Sequence, residues 1–199
     1  MENHVPIKSI TAGQISKIYD LLVAALQKSG LPSEPTQQVL EQQGAALTDE
    51  FVASVRSRVE AISSIIIRRV RVDRTRTPRQ AIDATGRSQY LDDDVVATMP
   101  QGEGDEVDVY FIPTKRFVSA AEVPAFLAQY GLVPDPRAQA AVNEADPAFA
   151  DEHPNGTQWG NNCYLTFYRW VGGRGVDCYR DDNRWRDFWL LSGVLAPRK

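Results

Sequence analysis

The stretch from His153 to Leu191 constrains this chain most, because HPNGTQWGNNCYLTFYRWVGGRGVDCYRDDNRWRDFWLL holds all four tryptophans around a glycine-rich centre. Cys163 to Trp170 and Val176 to Arg180 are rich in the aromatic and β-branched residues that strands favour. Gly172, Gly173 and Gly175 between them permit the positive-φ backbone of a tight connection, so the two runs read as a hairpin. With Val171 opposite Val176, Arg169 faces Cys178, Phe167 faces Arg180 and Tyr168 faces Tyr179. That register separates Cys163 from Cys178 along the ladder and predicts two free thiols. A two-stranded ribbon is marginal alone, so a third strand is expected at Phe188–Leu191. Trp185 sits between them in a loop of alternating charges.

At 199 residues and 43% hydrophobic, the chain is long enough to bury a real core. Thr11 and Gln14 form a capping box, Ile15, Ile18, Leu22 and Leu26 follow at helical spacing, and Gly30 supplies a stop. Ser33 to Gln43 reads as a second helix ended by Gly44. A third starts near Thr48, with Val52, Val55, Val59, Ile62 and Ile66 as its apolar stripe. The β-branched run Ile65-Ile66-Ile67 places the change from helix to strand between Ser64 and Arg68. Residues 1–66 are thus expected to form a three-helix segment. Residues 67–199 are expected to form an α+β domain whose mostly antiparallel sheet uses Arg69–Val72, Val107–Ile112, Cys163–Trp170, Val176–Arg180 and Phe188–Leu191. Thr77-Pro78-Arg79-Gln80 and Ser119 with Glu122 mark further helix starts. Asn143 to Pro154 reads as a long irregular connection, a feature that in a compact domain is either functional or tightly packed.

The charge layout changes sign abruptly. Eight arginines lie between Arg56 and Arg79, and an acidic segment from Asp83 to Asp108 follows. Arg69, Arg71, Arg74 and Arg76 are candidates for contact with a ligand or partner, because guanidinium suits bidentate recognition of carboxylate or phosphate. Neighbouring blocks of opposite sign favour pairing within the chain, and a net charge of -4 disfavours general nucleic-acid binding.

The other candidate site is the segment Asp151 to Trp159. His153 beside Asp151 and Glu152 has the residue types of a general base, and Asn155 and Trp185 are further contact candidates. There is no HExxH or HxH pattern, and no metal or cofactor is expected. Cys163 starts an aromatic strand and reads as a small buried hydrophobe rather than a nucleophile. Gly102-Glu103-Gly104 lacks the lysine and serine of a phosphate loop. Asp92-Asp93-Asp94 lacks calcium-loop spacing and reads as a turn or helix start.

The segments RTRTPRQAIDATGRSQY, Arg74 to Tyr90, and NEADPAFADEHPNGTQW, Asn143 to Trp159, resemble short bacterial proteins of no assigned function. The resemblance covers about half the chain. It implies a bacterial origin and no particular activity, cofactor or partner.

The start MENHVPIKSI lacks the basic and apolar regions of a leader, and no apolar run approaches the roughly 20 residues of a membrane span. Two cysteines form no zinc or disulfide framework, so a soluble, cytoplasmic protein is expected. The leading expectation is a non-enzymatic interaction or accessory protein that binds protein, itself or another. One alternative is a small enzyme or ligand-binding domain sited at Asp151–Trp159. The other is a nucleic-acid-associated protein using Arg68–Arg79.

Overall fold

The structure, a computed structural model, describes Ile7, residues 10–180 and residues 185–196. The backbone divides into two units, Lys8–Ile62 and Ser63–Lys199, the latter together with Met1–Ile7.

In the first unit, helix α1 (Ala12–Lys28) starts at the expected capping box, with Gln14 N–H donating to Thr11 Oγ1 and Thr11 N–H to Gln14 Oε1. It stops before Gly30, whose φ of 68° turns the chain in a conformation that costs other residues more. Helix α2 (Ser33–Ser63) is continuous over 31 residues, so there are two helices here and not three. Gly44 does not end it. A single mid-helix glycine costs only about 1 kcal/mol, and the Thr48 hydroxyl donates to the Gly44 carbonyl. Neither helix buries a residue.

Ser64, at φ 59°, ends α2 and lets the β-branched run enter strand β1 (Ile66–Arg71) within the expected window. Helix α3 (Pro78–Asp83) has the threonine–glutamine box, and strand β2 (Ser88–Leu91) follows it. Asp92 caps helix α4 (Asp93–Ala97), accepting from the backbone N–H groups of Asp94 and Val95. The aspartate triplet is a helix start. Strand β3 (Glu106–Pro113) leads to a 3-10 turn at Ala120–Glu122 and helix α5 (Val123–Gln129). Hydrogen bonds from the Ser119 backbone and hydroxyl, then from Arg116, hold the Glu122 carboxyl down at about 2.

Strand β4 (Leu132–Val133) precedes helix α6 (Pro136–Ala145). The segment Asn143–Pro154, expected to be irregular, holds the end of α6 and the short helix α7 (Phe149–Glu152), and strand β5 (Asn155–Trp159) follows it. The hairpin of strands β6 (Cys163–Trp170) and β7 (Gly173–Arg180) is present, but its register differs from expectation. Arg169 pairs with Arg174, Phe167 with Val176 and Leu165 with Cys178, because Val171 and Gly172 alone make the turn. Cys163 and Cys178 therefore share one face as diagonal neighbours, both buried and both free. Strand β8 (Leu190–Leu195) does not extend the hairpin; it runs between β3 and β5, antiparallel to the first and parallel to the second.

The sheet order is β1-β3-β8-β5-β6-β7-β2, with β4 alongside β8. Among the described residues five of the seven pairings are antiparallel, so the body is α+β with a mixed, mostly antiparallel sheet. Alternation along the strands divides the core between two faces. On one, Leu165, Phe167, Val176, Val109 and Phe111 pack under α3, α4, α6 and α7. On the other, Ile112, Tyr164 and Leu191 pack under α5 and Trp185. That second cover spans only the middle of the sheet.

Trp159 and Trp185 lie at different depths. Trp159 is half-buried, its indole N–H donating to Thr98 Oγ1. Trp185, expected in a charged loop, is only 4% exposed. Its ring lies where a side chain at Gly156 would be, and its N–H donates to Gln158 Oε1. Replacing Trp185 with alanine is expected to cost about 3–5 kcal/mol in urea unfolding, as for other buried aromatics. Trp159→Ala should cost less, and the order of the two denaturation midpoints checks the assignment.

Candidate functional site

The arginine block resolves into individual contacts. Arg69 on β1 lies 3.0 Å from Glu106 and 3.7 Å from Asp108 on β3, with Asp108 opposite it in register. Arg71 is exposed at the end of the same strand, opposite Glu106 in register. Arg76 reaches Glu144 at 2.6 Å and Asp73 at 3.4 Å, and Arg79 reaches Asp83 and Asp93. Arg68 lies over the Phe149 ring at 5.2 Å.

Arg74 is the most embedded of them. Its guanidinium grips both carboxylate oxygens of Asp135, at 2.7 and 3.0 Å, and donates to the carbonyls of Gln101, Glu103 and Gly104. The side chains are 11% and 1% exposed. Asp135 also caps α6 by accepting from Ala138 N–H. Arg137, buried beside them, donates to the Arg76 carbonyl, and burial lowers its pKa. Arg69, Arg74, Arg76 and Arg79 make the internal pairing expected from the charge pattern.

The segment 151–159 is also committed to the fold. Asp151 accepts from Arg174 at 2.6 Å and Arg169 at 3.3 Å, fastening α7 to the hairpin. Hydrogen bonds from Arg174 hold its carboxyl below the usual range. His153 closes α7 with its ring 5.2 Å from Phe149, and Glu152 is exposed. Asn155 is fully buried, accepting from Gln139 and Asn143 of α6 and donating to the His153 carbonyl. Asn155 and Trp185, expected as contact candidates, both lie inside the core. The thiol of Cys178 is pushed up to about 12 by burial, which removes it as a nucleophile. Among the described residues, no cluster of three or more His, Cys, Asp or Glu side chains is placed to hold a metal ion.

Two clefts remain. The first, of about 340 Å³, lies beside β3 and β8 and is lined by Val107, Tyr110, Val133, Pro134, Val194 and Leu195, with Gly102, Glu103, Asp108 and Asp135. Its Asp135 is occupied by Arg74 and its Asp108 stands near Arg69.

The second is a groove of about 350 Å³ over β2, β6 and β7, on the face that α5 leaves open. Tyr90, Tyr168, Trp170 and Tyr179 line it together with Asp177. Register explains the convergence: Tyr90 pairs with Asp177, which pairs with Thr166, and these alternate to the same side as Tyr168 and Trp170. Gly175, opposite Tyr168, is a floor. A Cβ there would stand 2.5 Å from the Trp170 ring and 3.0 Å from that of Tyr168.

The Tyr168 hydroxyl donates to Asp177 Oδ1 at 2.7 Å. Burial and this bond keep the Tyr168 phenol protonated far above its usual range. Burial raises the Asp177 carboxyl, and the Tyr168 bond offsets part of that. Sequence reasoning did not find this groove. Its signal was the alternation of Tyr164, Thr166, Tyr168 and Trp170, which becomes legible once the turn length fixes the register.

Compared with protein-family models, curated proteins and solved structures, the chain matches none of them. The α+β class is therefore what the fold defines, and any activity must be argued from these side chains.

The burial or exposure of these groups sets three expected stability effects. Asp135→Asn should cost about 3–5 kcal/mol in urea unfolding, because it strands a buried guanidinium. Arg69→Ala, at an exposed pair, should cost no more than about 1 kcal/mol. Asp177 has the opposite sign. With its folded pKa above the unfolded value, ionisation favours the unfolded chain once pH rises above the unfolded pKa. Asp177→Asn should therefore raise the denaturation midpoint at neutral pH. The gain should fade as pH falls below the carboxylate range, which unfolding curves at several pH values would check.

Proposed function

We propose that this is a non-enzymatic interaction protein whose helical unit is a docking element for apolar helices, a second copy of the chain included. The observation that carries this reading is the distribution of exposed apolar side chains. Of the twenty large apolar residues exposed among the described residues, fourteen lie within residues 8–62. They include Ile15, Leu22 and Leu26 of α1, and Val52, Val59 and Ile62 of α2, the last 88% exposed. Val52, Val55, Val59 and Ile62 alternate at three and four residues, the spacing of a coiled-coil seam. Contiguous exposed apolar surface of this kind marks interaction sites in soluble proteins. No helix among the described residues is long and apolar enough to cross a membrane, which leaves a protein surface as the natural cover.

The enzymatic alternative at residues 151–159 lacks support of that kind, because Asp151 and Asn155 are spent on packing α6 and α7 to the sheet. The nucleic-acid alternative loses the basic surface it needs, since Arg69, Arg74, Arg76 and Arg79 face carboxylates of the same chain.

Sedimentation of the full chain should show a dimer or higher oligomer that grows with concentration. The Val52→Glu, Val59→Glu double variant should be monomeric with an unchanged body. A wild-type chain that stays monomeric at every concentration would sink the self-docking reading. Fluorescence anisotropy with labelled single- and double-stranded oligonucleotides should show only weak binding. Tight binding that falls about 10³–10⁵-fold between 50 and 200 mM salt would instead make phosphate contact the leading function.

A further inference from the structure

The groove over β2, β6 and β7 has a chemistry that the docking reading does not use. Its rings are inclined to one another instead of stacked: Tyr90 and Trp170 meet at 66° with centroids 6.2 Å apart, and Tyr168 and Trp170 at 47° with centroids 5.7 Å apart. Inclined rings wall a space, and the face of an aromatic ring carries the negative side of its quadrupole. A cation held against such faces is attracted without a directional hydrogen bond.

The charge distribution makes the same demand. Arg169, Arg174 and Arg180 alternate onto the opposite face, where Asp151 takes Arg169 and Arg174. Arg87 also lies on that side, over the Phe167 ring and donating to the Tyr168 carbonyl. Asp177 is left on the groove side with a phenol as its hydrogen-bond donor and, among the described residues, no lysine or arginine paired with it. A half-buried carboxylate bordered by aromatic rings is a counter-charge lacking its cation. Tyr168 stays neutral and cannot repel or replace one.

We infer that this groove binds a methylated ammonium group, with Tyr90, Tyr168 and Trp170 as its walls and Asp177 as its counter-charge. A methylated ammonium suits the site better than a primary amine, because its spread charge is poorly hydrated and its methyl groups pack on rings. It suits the site better than a guanidinium, because Asp177 already has one oxygen engaged by Tyr168 and offers no free fork. The volume of about 350 Å³ is at the small end of ligand sites, in keeping with a headgroup. The group can belong to a free small molecule or to a trimethylated lysine side chain.

Isothermal titration of the full chain with tetramethylammonium, choline and a trimethyllysine peptide tests this, with 3,3-dimethylbutan-1-ol as the uncharged isostere of choline. Saturable binding of the cations and none of the isostere is expected, weakened about tenfold in Asp177→Asn and in Trp170→Ala. Tighter binding of the peptide would assign the source to a protein, and tighter binding of choline to a metabolite. Tyr90→Ala, at a ring already 49% exposed, replaces Trp170→Ala if that variant fails to fold by circular dichroism. Equal binding of the isostere, absence of saturation with any cation, or an unchanged affinity in folded Asp177→Asn would each overturn the inference. The readout is independent of sedimentation, so self-docking can fail or hold without altering it.

Discussion

The contact on which the body most depends is the bidentate pair between Arg74 and Asp135. One guanidinium joins three places distant in the chain: the turn after β1, the backbone of residues 101–104, and the start of α6. Asp135 simultaneously caps α6, so the same carboxylate sets both the helix origin and its anchorage. From that origin α6 crosses the sheet, carrying Ala138 and Val142 into the core and Gln139 and Asn143 to Asn155. The placement of β5 and α7 follows. A buried ion pair adds little net stability compared with an apolar replacement, and its contribution here is to fix one arrangement.

The two surfaces that look functional are unlike each other in kind. The helical unit offers length and apolarity, as suits contact with another helix. The groove offers a small, open aromatic surface with one charge, as suits recognition of a single group. Both are left exposed at a cost to the isolated chain: one keeps hydrocarbon in water, the other keeps a carboxylate among rings. Such costs are commonly retained where binding relieves them.

Local chemistry made some elements legible and not others. The capping boxes at Thr11, Thr77 and Ser119 placed three helix starts, because they depend only on residues three apart. The β6–β7 hairpin is visible for the same reason, although its turn of Val171 and Gly172 is shorter than the glycine-rich sequence suggests. Strand β5 was hidden because Asn155-Gly156-Thr157-Gln158 has turn composition. It is a strand through tertiary pairing, with Asn155 satisfied by α6 and Gly156 ceding space to Trp185. The helix break at Gly44 failed because one glycine is a weak signal in a long helix. The aromatic groove depended on pairing between β2 and β7, strands separated by most of the body, and no local pattern announces that.

Strand β8 carries an implication for the order in which the body can be assembled. It is the bridge between β3, some eighty residues earlier, and β5, and it also supports β4. Until Leu190–Leu195 has emerged from the ribosome, β3 and β5 each present an open edge with nothing between them. The hairpin and the helices of residues 8–62 need only near neighbours and can form earlier. Sheet closure therefore waits on the last strand, and pairing between such distant segments is the slow kind of folding event. For that interval the nascent chain exposes unpaired strand edges alongside apolar helices, a combination that calls for shielding during synthesis.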